Sequence, residues 1–257
     1  MKIERNKVLD EFRSYTFNYD VNDPKVDLKL KHTYRVAGLA ERIAKSLELS
    51  QDDVDLAWLL GMLHDIGRFE QVRIYNTYND SLSVDHAKFG ADLLFGKDRL
   101  IEAFVDDRAE DELINNAISV HSLYRVPEEL DDRTTMFAHI LRDADKLDIL
   151  KANLETPLED IYNVTSEELY NSLISDEVVN SFYEHHATLR ALKKTPADHV
   201  VAHMSLFFEL VYKESSVIAI EQGYWEQLAD FPFANEDTRN KLGVLKEELR
   251  AYLVSNQ

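Results

Sequence analysis

The alternation of polar and apolar positions reads as a succession of amphipathic helices. The stretch up to about Phe17 predicts a first helix, and Asn18 to Asp27, with Pro24, a loop. From about Leu28 to Leu47, Val36, Leu39, Ala40, Ile43 and Leu47 recur at helical spacing, and His32 shares that stripe. Ser50 and Asp53 have the form of a capping box with Asp in place of Glu. They open a helix, Val54 to Leu63, that is apolar almost all round and is therefore expected to be fully buried. Continued along that cylinder at ~3.6 residues per turn, Asp65 falls on the face of Val54, Trp58 and Gly61, with His64 roughly 100° away.

Arg68 to Asn79 has no clear period and is expected to be irregular or partly helical, and Asn79-Asp80-Ser81 signals a turn. A helix is predicted from about Ser83 to Phe95, where His86 shares a face with Phe89, Gly90 and Leu93. Glycine at 90 would let a backbone or a ligand approach closely. Another helix spans about Asp111 to Ser122, with His121 in line with Ile118, Ala117 and Ile114. After a loop marked by Pro127 and Asp131-Asp132, a helix from about Arg133 to Leu154 carries the stripe Phe137, Ile140, Leu141, Ala144 and Leu147. Asp145 lies at one edge of this stripe and Asp148 nearer its middle, and spacing alone does not choose between them. Ser166 to Gln257 reads as four or so further amphipathic helices, with turns near Ser175, Thr195-Pro196 and Phe231-Pro232.

Composition agrees with an all-α chain: among 257 residues there are 7 glycines and 5 prolines. No repeat, low-complexity tract or linker interrupts it, so one domain is expected over 1–257, a core at about 28–155 followed by a helical extension at about 156–257. There is no cysteine, hence neither a disulfide nor a thiolate metal site. The first residues lack an apolar leader segment, and no run approaches ~18 apolar residues, so a soluble, cytoplasmic protein without a membrane partner is expected. The net charge of −19, from 29 basic and 48 acidic residues, disfavours nucleic-acid backbones as partners but leaves room for a small phosphorylated ligand beside bound cations. No feature of the sequence fixes an oligomeric state.

The candidate chemistry begins with His64-Asp65. Four histidines, His32, His64, His86 and His121, fall on inward faces of four predicted helices, and buried-face aspartates occur at 65 and near 145. Burying four imidazoles and two carboxylates would cost on the order of several kcal/mol unless they share a partner, and a metal cluster is such a partner. Imidazole with carboxylate suits divalent Fe, Mn or another transition metal.

The order His32, His64-Asp65, His86, His121 and an aspartate within Ala144-Asp145-Lys146-Leu147-Asp148, with His-Asp-Ile-Gly-Arg and His86-Ala-Lys-Phe-Gly90 as local context, resembles the HD-domain metal-dependent phosphohydrolase superfamily. The resemblance covers roughly the first 155 residues and implies an all-α bundle. It assigns one metal to His32, His64, Asp65 and Asp145, and a second to His86 and His121 with Asp65 bridging. It disfavours the branch that cleaves cyclic dinucleotides, because Ser-Leu-Tyr-Arg follows His121 here where that branch has a further adjacent histidine and a Gly-Tyr-Pro signature. The implied activity is hydrolysis of a phosphate ester of a small metabolite, such as a nucleotide, by metal-activated hydroxide. Asp65 is the expected metal ligand and holder of the bridge, Arg68 the first candidate for a phosphate contact, and Lys146 and Arg125 the next. The same ligand set implies a di-iron oxygenase as an alternative. A non-catalytic regulatory protein is a third reading, and it predicts gaps among the six ligands that the sequence does not have.

The remaining features point elsewhere. His199-Val-Val-Ala-His203 has metal-ligand spacing, but a packed helix is its default reading. Glu184-His185-His186 reads as a solvated helix face, and the acidic pairs at 106–107, 128–129 and 131–132 as solvent-facing. His139 and Asp143 are candidates for outer partners of the ligands.

Overall fold

A computed structural model describes residues 1–158 and 164–257, and among them the regular structure is helical, with no strand. Two compact units are present, Met1–Asp145 and Lys146–Gln257. The sequence offers no linker at this division because it falls inside a helix, α8, Asp132–Glu155. Of the extension expected from 156 onward, residues 159–163 lie outside the described residues.

The first unit opens with α1, Arg5–Thr16, and α2, Pro24–Ser46. The loop expected to reach Asp27 is therefore shorter. Pro24 occupies the first helical turn, where its missing N–H costs nothing, and the Asp23 side chain caps the helix by accepting from the Lys25 backbone N–H. Helix α3, Gln51–Leu63, is capped by Ser50, which accepts from Asp53 N; the reciprocal half of the capping box is absent because Asp53 Oδ2 accepts from the Ser50 hydroxyl instead. As its apolar sequence requires, α3 is buried from Leu56 through Leu63.

The chain does not continue on that cylinder. His64 is the C-cap of α3, and Asp65, at φ −103° and ψ 18°, stands between α3 and α4, Ile66–Tyr75. This backbone region is sparsely populated and recurs at functional sites. The stretch after Arg68 is thus mostly helical, ending at Asn76 in the left-handed conformation, φ 53°. Asn79 caps a short 3-10 turn, Asp80–Leu82. Helix α5, His86–Phe95, starts three residues later than the periodicity suggests, because the Asp85 side chain caps it by accepting from Lys88 N. A short helix unmarked in the sequence, α6, Ile101–Phe104, precedes α7, Asp111–Val120, whose C-cap is His121.

Two close crossings set the positions of these helices. A Cβ on Gly61 of α3 would stand 2.5 Å from Ala37 Cα of α2, and one on Gly67 of α4 would stand 2.7 Å from both Gly90 N and His86 O of α5. Gly90 therefore serves the backbone of Gly67 rather than a ligand. Helix α8 is fixed to α7 by the buried Arg142, whose Nη1 donates to the carbonyls of Val120, His121 and Leu123 at the end of α7.

The second unit adds short helices at Ser166–Tyr170, Asp176–Phe182, Pro196–Ser205, Lys213–Gln222 and Tyr224–Ala229, and a long one at Glu236–Ser255. These are more pieces than the four or so expected, because short helices of five to seven residues show no full period in sequence. Ser175 and Thr195 are N-caps, and Phe231-Pro232 lies between helices, where turns were expected. The buried Asp198 carboxylate ties this unit together by accepting from Ser175 N, Ser175 Oγ, Lys194 N and Thr195 N.

Candidate metal centre

His32 projects from the middle of α2, and His64 from the end of α3. The α2–α3 crossing at Gly61 brings their Nε2 atoms to 3.3 Å. Asp65 Oδ2 stands 3.6 Å from His32 Nε2 and 3.5 Å from His64 Nε2. Asp145 Oδ1, from α8, lies 3.1 Å from His32 Nε2 and 3.8 Å from His64 Nε2. Of the two aspartates that the sequence leaves open, it is Asp145 that has these contacts; Asp148 is buried.

The other oxygen of Asp65 faces a second group. Asp65 Oδ1 is 3.6 Å from His86 Nε2 and 3.9 Å from His121 Nε2, and those two nitrogens are 3.1 Å apart. His32, His64, Asp65, His86 and His121 are each at most 5% exposed. Two sets of three donor atoms, each mutually close enough to hold one ion, thus share the Asp65 carboxylate.

The hydrogen bonds around the rings state what the inner nitrogens can do. His64 Nδ1 donates to Gly61 O at 2.8 Å and His121 Nδ1 to Ile118 O at 2.7 Å. Each ring thereby bonds a carbonyl of the last turn of its own helix. His86 Nδ1 donates to Asp80 Oδ2 at 2.6 Å. With these acceptors on Nδ1, the Nε2 atoms are turned toward one another, His86 to His121 at 3.1 Å. A divalent cation fits such an arrangement. At metal–ligand distances of about 2.0–2.2 Å, adjacent donors stand roughly 3–3.5 Å apart, and half of the separations here fall in that range, the rest reaching 3.9 Å. Imidazole nitrogens and hard carboxylate oxygens fit divalent transition metals.

Electrostatics prepare the same state. Burial holds His64 neutral, pushing its pKa down against the opposing pull of Asp65 and Asp145. Burial, with His86 and His64 nearby, pushes His121 down to about 3. Burial alone would raise the Asp65 pKa, but Lys29, His64, Arg68 and His86 overcome it and hold the carboxyl ionised far below its usual range. Asp145 is held low in the same way by His32, His64 and His121, whose effect outweighs that of its burial.

Arg68, the first candidate for a phosphate contact, already has protein partners. It is 13% exposed, and its Nη1 donates to Gln71 Oε1, Tyr78 O and Asp80 Oδ1, while Nε stands 3.6 Å from Asp65 Oδ1. Arg125 is exposed and stacks on Tyr124. Lys146 is half-buried and belongs to the second unit. Sequence reasoning missed three contributors. Asp80 was visible only as a turn residue, Arg142 only as a polar position beside the stripe of α8, and Lys29, whose Nζ is 2.7 Å from Asp65 Oδ2, only as one charge among many.

Away from this centre, His203 Nδ1 is engaged with Asn153 Nδ2 at 2.8 Å, and no metal-type cluster involves His199 or His203 among the described residues. His185 is not on a solvated helix face. It follows the end of the helix Asp176–Phe182 in a left-handed conformation, φ 55°, stacks on Phe208 and pairs with Glu248 at 2.7 Å. Asp106, Asp107, Glu128, Glu129, Asp131 and Asp132 are exposed, His139 is half-buried and Asp143 buried. Among the described residues no helix is long and apolar enough to cross a membrane.

Comparison with protein families places this geometry in a class. Residues 30–150 match the HD domain, a span that contains all six candidate ligand positions from His32 to Asp145. Residues 30–150 thus form an HD domain, a domain of the metal-dependent hydrolase type. No curated protein and no solved structure matches the chain.

Proposed function

We propose that the protein is a metal-dependent phosphohydrolase that hydrolyses a phosphate ester of a small phosphorylated metabolite, with nucleotides as the first class to test. The observation that carries this reading is the Asp65 carboxylate, which turns one oxygen to His32 and His64 and the other to His86 and His121. His32, His64, Asp65 and Asp145 would hold one divalent cation, and Asp65, His86 and His121 a second. Such ions supply Lewis acidity toward water and toward phosphoryl oxygens.

The chain's own part is preorganisation. The carbonyls of Gly61 and Ile118 and the carboxylate of Asp80 fix the proton of three imidazoles on Nδ1, so their Nε2 atoms stay available. Asp65 remains ionised and spans both positions, which fixes the spacing at which an in-line displacement at phosphorus can be stabilised from two sides. In that displacement water adds its oxygen to phosphorus, the ester P–O bond breaks, and the alcohol leaves with a proton. The chain's charge of −19 favours a small substrate over a polynucleotide.

The test is a screen of protein loaded with Mn²⁺ or Fe²⁺ against phosphorylated metabolites, with phosphate release as the readout. Release should vanish in Asp65→Ala and persist in His199→Ala. Equal loss in both variants, or in neither, contradicts the assignment.

A further inference from the structure

Lys29 lies three residues before His32 on α2 and is 17% exposed, so it borders both the buried centre and solvent. Its Nζ donates to Asp65 Oδ2 at 2.7 Å, the same oxygen that faces His32 and His64. The ammonium also stands 5.4 Å from the centre of the Tyr78 ring, and the Arg68 guanidinium stands 5.5 Å from it. The Tyr78 hydroxyl donates to Lys25 O, which holds the ring against α2.

Of these two cations only one is free to change partner. Arg68 Nη1 has three acceptors, Gln71, Tyr78 O and Asp80, and leaving them would release the carboxylate that orients His86. Lys29 meets the Asp65 carboxylate alone through an ammonium on a flexible four-carbon stem. Cations held by the two sets of donors would compete with the ammonium for Asp65, since like charges a few ångströms apart repel strongly in a site that excludes water. The ammonium then needs another anion within its reach, and the substrate's phosphoryl group is one.

Resting on the phosphohydrolase reading above, we propose that Lys29 is the phosphoryl-binding cation of this site. It exchanges Asp65 for a non-ester phosphoryl oxygen of the substrate, while Arg68 acts as a positioning residue through Asp80.

Inorganic phosphate is the probe. Metal-loaded wild type, Lys29→Met and Lys29→Arg are titrated with it by calorimetry, and the metal content of each sample is measured. Lys29→Met should keep its metal and bind phosphate about 10- to 100-fold more weakly, the loss of one hydrogen bond to a charged group. Lys29→Arg should recover part of the affinity. Starting from metal-free protein, Lys29→Met should also take up the first cation more tightly, because the competing ammonium is gone. Unchanged phosphate affinity in Lys29→Met overturns the proposal, and so does loss of metal from that variant, which would reduce Lys29 to a support for Asp65. A wild type that binds phosphate through Lys29 yet cleaves no ester would sink the hydrolase reading alone. Ester cleavage with phosphate affinity indifferent to Lys29 would sink this proposal alone.

Discussion

Asp80→Asn isolates the carboxylate behind the second set of donors. Asp80 accepts from His86 Nδ1 on Oδ2 at 2.6 Å, and from Arg68 Nη1 at 2.7 Å and Gln71 Nε2 at 3.0 Å on Oδ1. Three donors thus converge on two anionic oxygens. Asparagine keeps the shape but has one acceptor oxygen and an NH₂. If its oxygen faces His86, the NH₂ confronts Arg68 and Gln71. If it turns round, the NH₂ confronts His86 Nδ1, and the imidazole relieves the clash by moving its proton to Nε2, the atom needed for a metal. Either way the affinity of the His86–His121 position should fall about 10- to 100-fold, the usual effect of losing an outer carboxylate, or about 1.4–2.8 kcal/mol. His32, His64 and Asp145 make no contact with Asp80 in the geometry above, so the other position should keep its affinity. The assay is equilibrium dialysis against Mn²⁺ under anaerobic conditions, with bound metal per chain followed as free metal rises. Wild type should fill in two steps, and the variant should keep the tighter step and shift the other. Two unshifted steps, or both shifting together, would refute the reasoning that Asp80 acts through His86.

Three further outcomes follow from the same geometry. Gly67→Ala places a methyl group 2.7 Å from Gly90 N and His86 O, against backbone that cannot rotate away, and should cost about 1–3 kcal/mol in chemical denaturation; an unchanged midpoint would mean that α4 and α5 are not held at this distance. In metal-free protein, His121 binds its proton only at about 3 when folded but near its ordinary 6.5 when unfolded, because burial disfavours the charged ring. The unfolded state therefore takes up the proton first, and this contribution, present above pH 6.5, is lost as pH falls toward 3. The loss amounts to about 2 kcal/mol by pH 5, and denaturation midpoints equal at pH 7 and pH 5 would contradict it. Arg142→Met takes the guanidinium donor from the carbonyls of His121 and Leu123 and should lower thermal stability and second-position metal affinity together; loss of stability with metal affinity intact would separate α7 anchoring from the site.

Much of this centre was legible because helical periodicity is a property of the sequence itself. His32 shares the buried stripe of α2, and His121 follows the apolar positions of α7, so both pointed inward on spacing alone. What periodicity could not show is where a helix stops. His64, Asp65, His86 and His121 all sit at helix ends, and those ends depend on caps such as Asp85 and on tertiary contacts such as Gly67 against Gly90. Pro24 was misread for a related reason: the same residue breaks a helix interior and suits its first turn. The choice between Asp145 and Asp148 also needed three dimensions, since both carboxylates lie on or beside one stripe and it is the approach of His32 and His64 that marks Asp145. Lys29 and Asp65 are 36 residues apart, and no local pattern announces an ion pair across such a distance.

The position of the His-Asp pair has a further physical rationale. It lies between Gly61 and Gly67, and each of these glycines is the contact point of a helix crossing, the first with α2 and the second with α5. His64 is therefore carried toward His32 by one crossing, while Asp65, released from helical geometry at φ −103°, is carried toward His86 by the other. Had α3 run straight on through residue 65, the two side chains would have diverged by roughly 100° on one cylinder. Asp65 could then have served one set of donors but not both. The break between α3 and α4 is what converts two separate histidine pairs into a centre with a common carboxylate, and the shortage of side-chain volume at Gly61 and Gly67 is what lets four helices come close enough to build it.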